Sequence, residues 1–150
     1  MKHQIETNFK RIGLHDSHFS EIKIEKGKIF IKIDWGFLEN FKEENVFDAI
    51  VFDKADLCLF NIGMQTFKKL TDNGTVPTLK PDDFETANWL VLTNEYSFAD
   101  NYHIFKFNIS NDFRLYLEWT VSFEKGRLEW DKFILHKNWL TGKETLDNNE

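Results

Sequence analysis

The sequence is poor in several features, and each shortage excludes a class of protein. It contains one cysteine, Cys58, so no disulfide forms within the chain and no cysteine-based zinc site can be built. Cys58 lies in an apolar run and is predicted to be a small buried core residue. The seven glycines are scattered, which excludes a glycine-rich loop that cradles phosphates. Apolar runs cover a few residues, whereas a membrane span needs roughly 18 or more. The N-terminus has no apolar signal segment either, so a protein of the reducing cytoplasm is predicted.

What the chain does contain is enough apolar material for one domain. Hydrophobic residues make up 41% of its 150 residues, and they include 16 Phe and 5 Trp. A chain of this length builds a core without disulfides or metals, and no linker divides it, so residues 1–150 predict a single domain. The formal net charge of −6 excludes the basic footprint of nonspecific nucleic-acid binding. The same charge suits a soluble protein and is compatible with a basic partner.

A β-hairpin from Phe19 to Trp35 is the clearest element in the sequence. Isoleucines alternate with charged residues on both sides of Gly27, a period of two that is typical of half-buried strands. Gly27 supplies the positive φ that a tight reversal requires. One face of the hairpin is therefore aliphatic and predicted to be buried, whereas the other face is charged apart from Phe30.

The rest of the chain predicts mainly β structure. Strands are expected within 46–60, 89–93, 102–110, 113–123 and 127–135, with a turn at 124–126 and a loop at 71–86. Residues 36–45 predict a loop that has room for a helical turn. Residues 62–70 have a spacing near 3.6 and predict a short helix, and residues 146–150 predict a frayed acidic tail. We therefore expect antiparallel sheets of about seven or eight strands, as a sandwich, a curved sheet or a partly open barrel. At most one or two short helices accompany them.

The aromatic residues have two interpretations. Four tryptophans fall at positions that predict core packing, namely Trp35, Trp89, Trp119 and Trp130. The alternative is that Phe and Trp side chains line the pocket of a carrier for a small apolar ligand. Phe30 and Tyr116 lie instead on the polar faces of their strands, and Glu118 shares the face of Tyr116. All three are candidate binding residues. For Phe30 and Tyr116 the reason is that aromatic residues are enriched at interfaces.

The segment from Leu14 to His18, Leu-His-Asp-Ser-His, concentrates residues that carry chemistry. Its two histidines and the aspartate between them suggest a metal site, or an enzyme that uses His15 and His18. A metal site needs three or four convergent ligands, however, and the other histidines have no fixed spacing to these two. The structural alternative is that Asp16 and Ser17 bond local backbone N–H groups. Without a nucleophile elbow or a cofactor motif, we expect neither catalysis nor a metal or cofactor. His15, Asp16 and His18 are taken as candidate binding residues.

The same segment carries a family resemblance. Leu14-His15-Asp16-Ser17, followed by Ile22, Ile24, Ile29, Ile31 and Ile33, resembles the His-Asp-Ser segment before a β-hairpin in many small uncharacterised bacterial proteins. Some of these families are grouped with the immunity proteins of bacterial toxin systems. The likeness covers residues 14–35. It implies a small cytoplasmic protein that binds and blocks a partner toxin, and it implies no catalytic site.

Three functions are therefore under consideration. The leading hypothesis is a non-catalytic, immunity-protein-like binding protein, whose acidic surface covers a basic toxin and whose charge raises the association rate. The second is the small-ligand carrier, and the third is an enzyme that uses His15 and His18. We expect a protein partner, and neither nucleic acid nor a membrane. The sequence leaves the oligomeric state open.

Overall fold

A computed structural model describes residues 2–71, 74–77, 88–111 and 116–146 of the chain. Twelve strands dominate this part: β1 (His3–Ile5), β2 (Ile12–Gly13), β3 (His18–Glu25), β4 (Lys28–Ile33), β5 (Gly36–Leu38), β6 (Ile50–Phe52), β7 (Ala55–Thr71), β8 (Gly74–Pro77), β9 (Trp89–Ala99), β10 (Tyr102–Ser110), β11 (Tyr116–Trp130) and β12 (Phe133–Leu135). The helical elements are the 3-10 turns Phe9–Arg11 and Lys42–Glu44 and one α-helix, α1 (His136–Leu140). The prediction of a mainly antiparallel β protein with little helix is confirmed.

The larger sheet curls until six of its strands form a ring. Its order is β1-β11-β10-β9-β3-β4-β7-β8, and β7 also pairs with β11, which joins the two sides. The two long strands β7 and β11 pair with each other along almost their whole length. The ring is weakest between β3 and β9, where His18 and Phe19 pair with Leu90 and Trp89. Of the arrangements expected, the partly open barrel describes this sheet.

Side chains fill the interior of the ring. Three of the tryptophans predicted to be in the core, Trp89, Trp119 and Trp130, are fully buried. The rings of Phe123, Phe105, Phe107 and Trp119 follow one another at centroid distances of 5.3, 5.4 and 5.6 Å. Such contacts add to the stability that burial itself supplies. Because this interior is a packed core, a small-ligand carrier needs its pocket elsewhere.

A second sheet of four short strands, in the order β12-β6-β5-β2, packs against the ring. Phe52 of β6 stacks on Trp130 of β11 at 5.5 Å, and one hydrophobic cluster includes residues of both sheets. Gly36 starts β5 where a Cβ would overlap the ring of Phe52. The N–H of His136 donates to the carbonyl of Ala49 over 2.9 Å, which places the start of α1 beside β6.

The predicted hairpin is confirmed as β3 and β4, with Gly27 at φ +74° in the turn. Ile22 and Ile31, which face each other across the two strands, are both buried. Phe30 lies on the outer face and is half-buried. The charged surface of the hairpin therefore faces away from the core, as the alternation predicts.

Two local predictions are wrong, and a third is correct in part. Residues 62–70 do not form a helix, because they belong to β7 and pair with β11. Residues 124–126 do not form a turn, because β11 continues through them. Gly126 serves packing there, since a Cβ would lie 3.1 Å from ring atoms of both Phe123 and Phe9. The predicted loop at 36–45 contains the expected helical turn, as a 3-10 turn, but it begins with the strand β5, which was not predicted.

Trp35 is the tryptophan for which the core prediction is wrong. It follows β4 and is half-buried at the surface. Other predictions lie partly outside the described residues: the loop at 71–86, where β8 is described, the start of the strand at 113–123, and the tail at 146–150. Among the residues that the structure describes, no helix is long and apolar enough to cross a membrane.

Candidate functional site

The segment from Leu14 to His18 is tied to the end of β4 through Asp34. The hydroxyl of the buried Ser17 donates to Oδ1 of Asp34 over 3.0 Å and contacts the carbonyl of Trp35. The backbone N–H of His18 donates to the same oxygen over 2.7 Å, and its ring Nδ1 lies 3.2 Å from Oδ2. Ser17 therefore has a structural role. Its hydroxyl bonds Asp34 and contacts Trp35, whereas the sequence predicts a bond to a local backbone N–H.

His15 and Asp16 lie at the surface beside β9. The N–H of Asp16 donates to the carbonyl of Val91 over 2.9 Å, so the chain before β3 extends the sheet along β9. Nδ1 of His15 bonds the carbonyl of Leu92, and its Nε2 lies 3.3 Å from Oδ2 of Asp16. The two side chains are 71% and 66% exposed, so both are accessible to a partner. The predicted bond from the side chain of Asp16 to local backbone is replaced by this contact with His15.

These residues do not have the order that nucleophilic catalysis requires. A nucleophilic serine donates to a histidine base, and a carboxylate orients that base. Here the carboxylate of Asp34 lies between Ser17 and His18, and Ser17 is fully buried. Within the described ranges, no group of three His, Cys, Asp or Glu side chains has the geometry of a metal site. His15 and His18 are held by different oxygens and do not converge on one point.

Four adjoining grooves lie along the outer surface beside β4, and each shares lining residues with the next. The first groove is lined mainly by His15, Phe37, His136, Trp35 and Trp139, and the second by Asp34, Asp53 and Lys54. The third groove is lined mainly by Ser20, Lys32 and Asp56, and the fourth by Glu21, Lys23, Glu25, Phe30 and Cys58. From Phe30 to Asp34 alone the grooves span about 13 Å, at roughly 3.3 Å per residue. We call this surface the furrow.

One end of the furrow is aromatic, and we call Trp35, Phe37, His136 and Trp139 its aromatic end. The centroids of Trp35 and Trp139 are 6.4 Å apart, and His136 stacks on Trp139 at 5.9 Å. The edge of Phe37 meets His136 at 4.8 Å. The buried Val51 forms part of the floor. Grooves of about 280 and 400 Å³ meet at the two tryptophans. Trp139 is 42% exposed although His136 stacks on it.

Beyond its aromatic end the furrow is charged, and carboxylates outnumber ammonium groups. The lining side chains include five carboxylates and three ammonium groups: Glu21, Glu25, Asp34, Asp53 and Asp56, against Lys23, Lys32 and Lys54. Glu21 lies 3.5 Å from both Lys23 and Lys32, and these cations, Lys23 first, lower its pKa. The surface is therefore acidic overall but contains local ion pairs.

The other end of the furrow surrounds Cys58. Cys58 is buried, as predicted, but it belongs to the outer face of the sheet, between Phe30 of β4 and Arg127 of β11 in the strand register. The edge of Phe30 meets Phe60 at 6.4 Å, and the guanidinium of Arg127 lies 5.7 Å from the centre of the Phe60 ring. Burial raises the pKa of the Cys58 thiol, which disfavours the nucleophilic thiolate. This end therefore offers packing surface.

Four of the six predicted binding residues lie on or beside the furrow. His15 and Phe30 line its opposite ends. His18 contacts the furrow residue Asp34, and Asp16 contacts His15. The hairpin and the segment before it thus contribute about half of the residues that line this surface.

Tyr116 and Glu118 do not line the furrow. They lie on the outer face of β11, opposite Ser110 and Asn108. The register runs from His18 through Leu90 and Ser110 to Tyr116, which puts Tyr116 three strands away, at about 14 Å. The two residues predicted from β11 therefore belong to a separate surface.

Sequence reasoning missed the aromatic end of the furrow. It placed Trp35 in the core and did not select Phe37, His136 or Trp139. One usable signal is the spacing of His136 and Trp139, since residues three apart share a face of a helix. Comparisons of the chain with protein-family models, curated proteins and solved structures find no match. The function is therefore argued from the furrow itself.

Proposed function

We propose that this protein is a non-catalytic binding protein that holds a segment of a protein partner in the furrow, and that it blocks a toxin as immunity proteins do. The observation that carries the proposal is the furrow, an open and elongated surface with exposed aromatic rings at one end. Protein interfaces combine aromatic anchors with a polar rim in this way. Its length suits a loop or an extended segment better than a compact small molecule.

The lining of the furrow is held in place by the fold. Asp34 is fixed by Ser17 and His18, and the floor beneath the tryptophans includes the buried Val51. Residues of β4 alternate between the core and the furrow, so the packed Ile31 and Ile33 fix the backbone from which Lys32 extends. A surface that is rigid before binding loses less conformational entropy when the partner docks. This rigidity supports a role in tight binding.

The charge of the furrow supports a basic partner. Its carboxylates exceed its ammonium groups, and the whole chain has a net charge of −6. Complementary charge accelerates association and disfavours acidic competitors. Toxins that act on nucleic acids need basic surfaces themselves, so an acidic cover is a fitting way to block them. The assignment to toxin inhibition also relies on the resemblance of residues 14–35.

Capture of the partner from the native host tests the proposal. The tagged wild-type chain is compared with Trp139→Ala, which truncates the aromatic end, and with Phe98→Ala, which truncates an aromatic that is 57% exposed but does not line the furrow. We expect the wild type and Phe98→Ala to capture the same protein and Trp139→Ala to lose most of it. Co-expression should then protect a sensitive cell from that protein.

Two results would count against the proposal. Equal capture by all three chains would place the binding surface outside the furrow. The absence of both a captured protein and protection against toxins encoded beside this gene would overturn the toxin-blocking role.

A further inference from the structure

We infer that the aromatic end of the furrow takes an arginine side chain of the partner. This inference rests on the proposed function, because it names the group that the partner brings to the furrow. Two independent features meet at this point: the indole surfaces of Trp35 and Trp139, and the carboxylates of Asp34 and Asp53 in the same groove. The first provides a face for stacking, and the second provides the charge.

The aromatic surfaces suit a planar cation. Trp139 is 42% exposed and Trp35 is half-buried, so both indoles present ring surface to the groove. The face of an indole attracts cations more strongly than the other aromatic side chains do. The guanidinium of arginine is flat and weakly hydrated, and it stacks on aromatic rings, whereas the compact ammonium of lysine does not. The geometry therefore favours arginine among the cationic side chains.

The charges of this groove also favour a cation. Asp34 and Asp53 line it together with Lys54, so two negative groups face one positive group. Asp34 already accepts hydrogen bonds from Ser17 and His18, so its contribution is charge close to the indoles. On the other side of the tryptophans, Asp16 lies beside His15. These carboxylates do not attract a neutral or acidic side chain, whereas an arginine is stabilised both by stacking on the indoles and by the negative charge.

Nuclear magnetic resonance with single-residue probes tests the inference without a partner protein. The wild-type chain is titrated with N-acetyl-arginine amide, with the uncharged isostere N-acetyl-citrulline amide, and with N-acetyl-lysine amide. We expect the arginine probe to shift the indole N–H signals of Trp35 and Trp139 saturably, and the buried Trp119 to remain unchanged. Citrulline should bind at least about fivefold more weakly, because it lacks the cation. Added salt should weaken the binding of arginine.

Two neighbouring charge variants give opposite predictions. Asp53→Asn removes a carboxylate and should weaken the arginine probe about threefold, whereas Lys54→Gln removes the opposing cation and should strengthen it by a similar factor. Phe98→Ala, outside the furrow, should leave the affinity unchanged. Asp53→Asn is isosteric, Lys54→Gln keeps a polar side chain of slightly shorter reach, and the dispersion of the spectrum reports whether each variant is folded.

Several outcomes would overturn the inference. Equal binding of the citrulline and arginine probes would show that charge does not contribute to binding. Equal or tighter binding of the lysine probe would show that stacking of a planar cation does not contribute. Choline is titrated as a fourth probe, and tighter binding of choline than of arginine would assign the groove to a small cationic ligand. These results are distinct from a failure of the proposed function: the arginine probe can bind although no toxin is captured, and a toxin can be captured although the probe does not bind.

Discussion

Ser17 and Asp34 are joined by a 3.0 Å hydrogen bond between a buried hydroxyl and a carboxylate, 17 positions apart in the sequence. The bond closes the open end of the β3–β4 hairpin, while Gly27 closes the other end. It also fixes Asp34, and with it the turn of the chain that presents Trp35 to the furrow. The His-Asp-Ser segment thus holds this part of the furrow in place, in addition to contributing His15 to its lining.

Substitution of Ser17 tests this structural role. Ser17→Ala removes a buried hydrogen bond to a charged group, so we expect the free energy of unfolding to fall by about 1.5–3 kcal/mol. Urea denaturation at neutral pH measures the change. Ser20→Ala is the matched control, because its exposed hydroxyl bonds the carbonyl of Lys32 at a longer 3.3 Å. Similar losses for the two variants would contradict the assignment.

Arg11 should contribute more to stability than an ordinary surface arginine. Its side chain is 6% exposed and donates to Glu43 over 2.7 and 2.9 Å and to the carbonyls of Thr7, Asn8 and Asn40. Lysine does not reproduce this forked geometry. We expect Arg11→Lys to lower the free energy of unfolding by about 3 kcal/mol, whereas Lys10→Ala at the exposed neighbouring position should change it by less than about 0.5 kcal/mol. Equal effects in denaturant unfolding would refute this.

The partner of Arg11 predicts a pH dependence. The hydrogen bonds from Arg11 hold the pKa of Glu43 below its usual value of 4.5. Since the folded pKa is depressed, the stabilisation is present above the unfolded pKa and is lost as the pH falls through the folded value. We therefore expect Glu43→Gln to destabilise the protein at neutral pH, and the difference from the wild type to shrink below pH 4.5. A difference that does not change with pH in thermal or urea unfolding would falsify the assignment.

Periodicity predicted the strands well where one face is buried and the other is not. The β3–β4 hairpin and β10 follow from alternation alone. The helix prediction for residues 62–70 was wrong because the apolar residues of so short a polar stretch fit both a helical and a strand period. Pairing with the long strand β11 stabilises this segment as β structure. Gly126 misled it because glycine marks both turns and close packing, and here it makes room for the ring of Phe9.

The candidate site was predicted in part. His15 and Phe30 follow from local pattern, since each lies on a surface that its own segment defines. The aromatic end depends on contacts between segments about 100 residues apart, because Trp35, which follows β4, packs against Trp139 of α1. No local pattern carries that information. Tyr116 met the same local criterion as Phe30, but the strand order places it on another surface.

Gly36 should be intolerant of any side chain. A Cβ at this position would overlap the ring of Phe52 and lie 2.9 Å from Cδ2 of Leu14. Both neighbours are buried, so we expect Gly36→Ala to lower the free energy of unfolding by about 3 kcal/mol or more. At Gly13 the added Cβ would lie 3.2 Å from Phe37, a milder contact. Gly13→Ala should therefore cost less in the same thermal or urea unfolding measurement, and the reverse order would contradict the packing described here.

Trp139 and Tyr116 lie on different surfaces of the protein and make different predictions for partner binding. We expect Trp139→Ala to weaken the complex with the captured partner at least about tenfold, because truncation of a central aromatic anchor typically costs about 2 kcal/mol. Tyr116→Ala removes an aromatic of similar exposure, 45% against 42%, from the outer face of β11 and should change the affinity less than about twofold. Isothermal titration calorimetry with the purified partner measures both, and urea unfolding shows that each variant is folded. If Tyr116→Ala produced the larger loss, the interface would lie on the face of β11 that Tyr116 shares with Glu118, and the furrow would not be the binding surface.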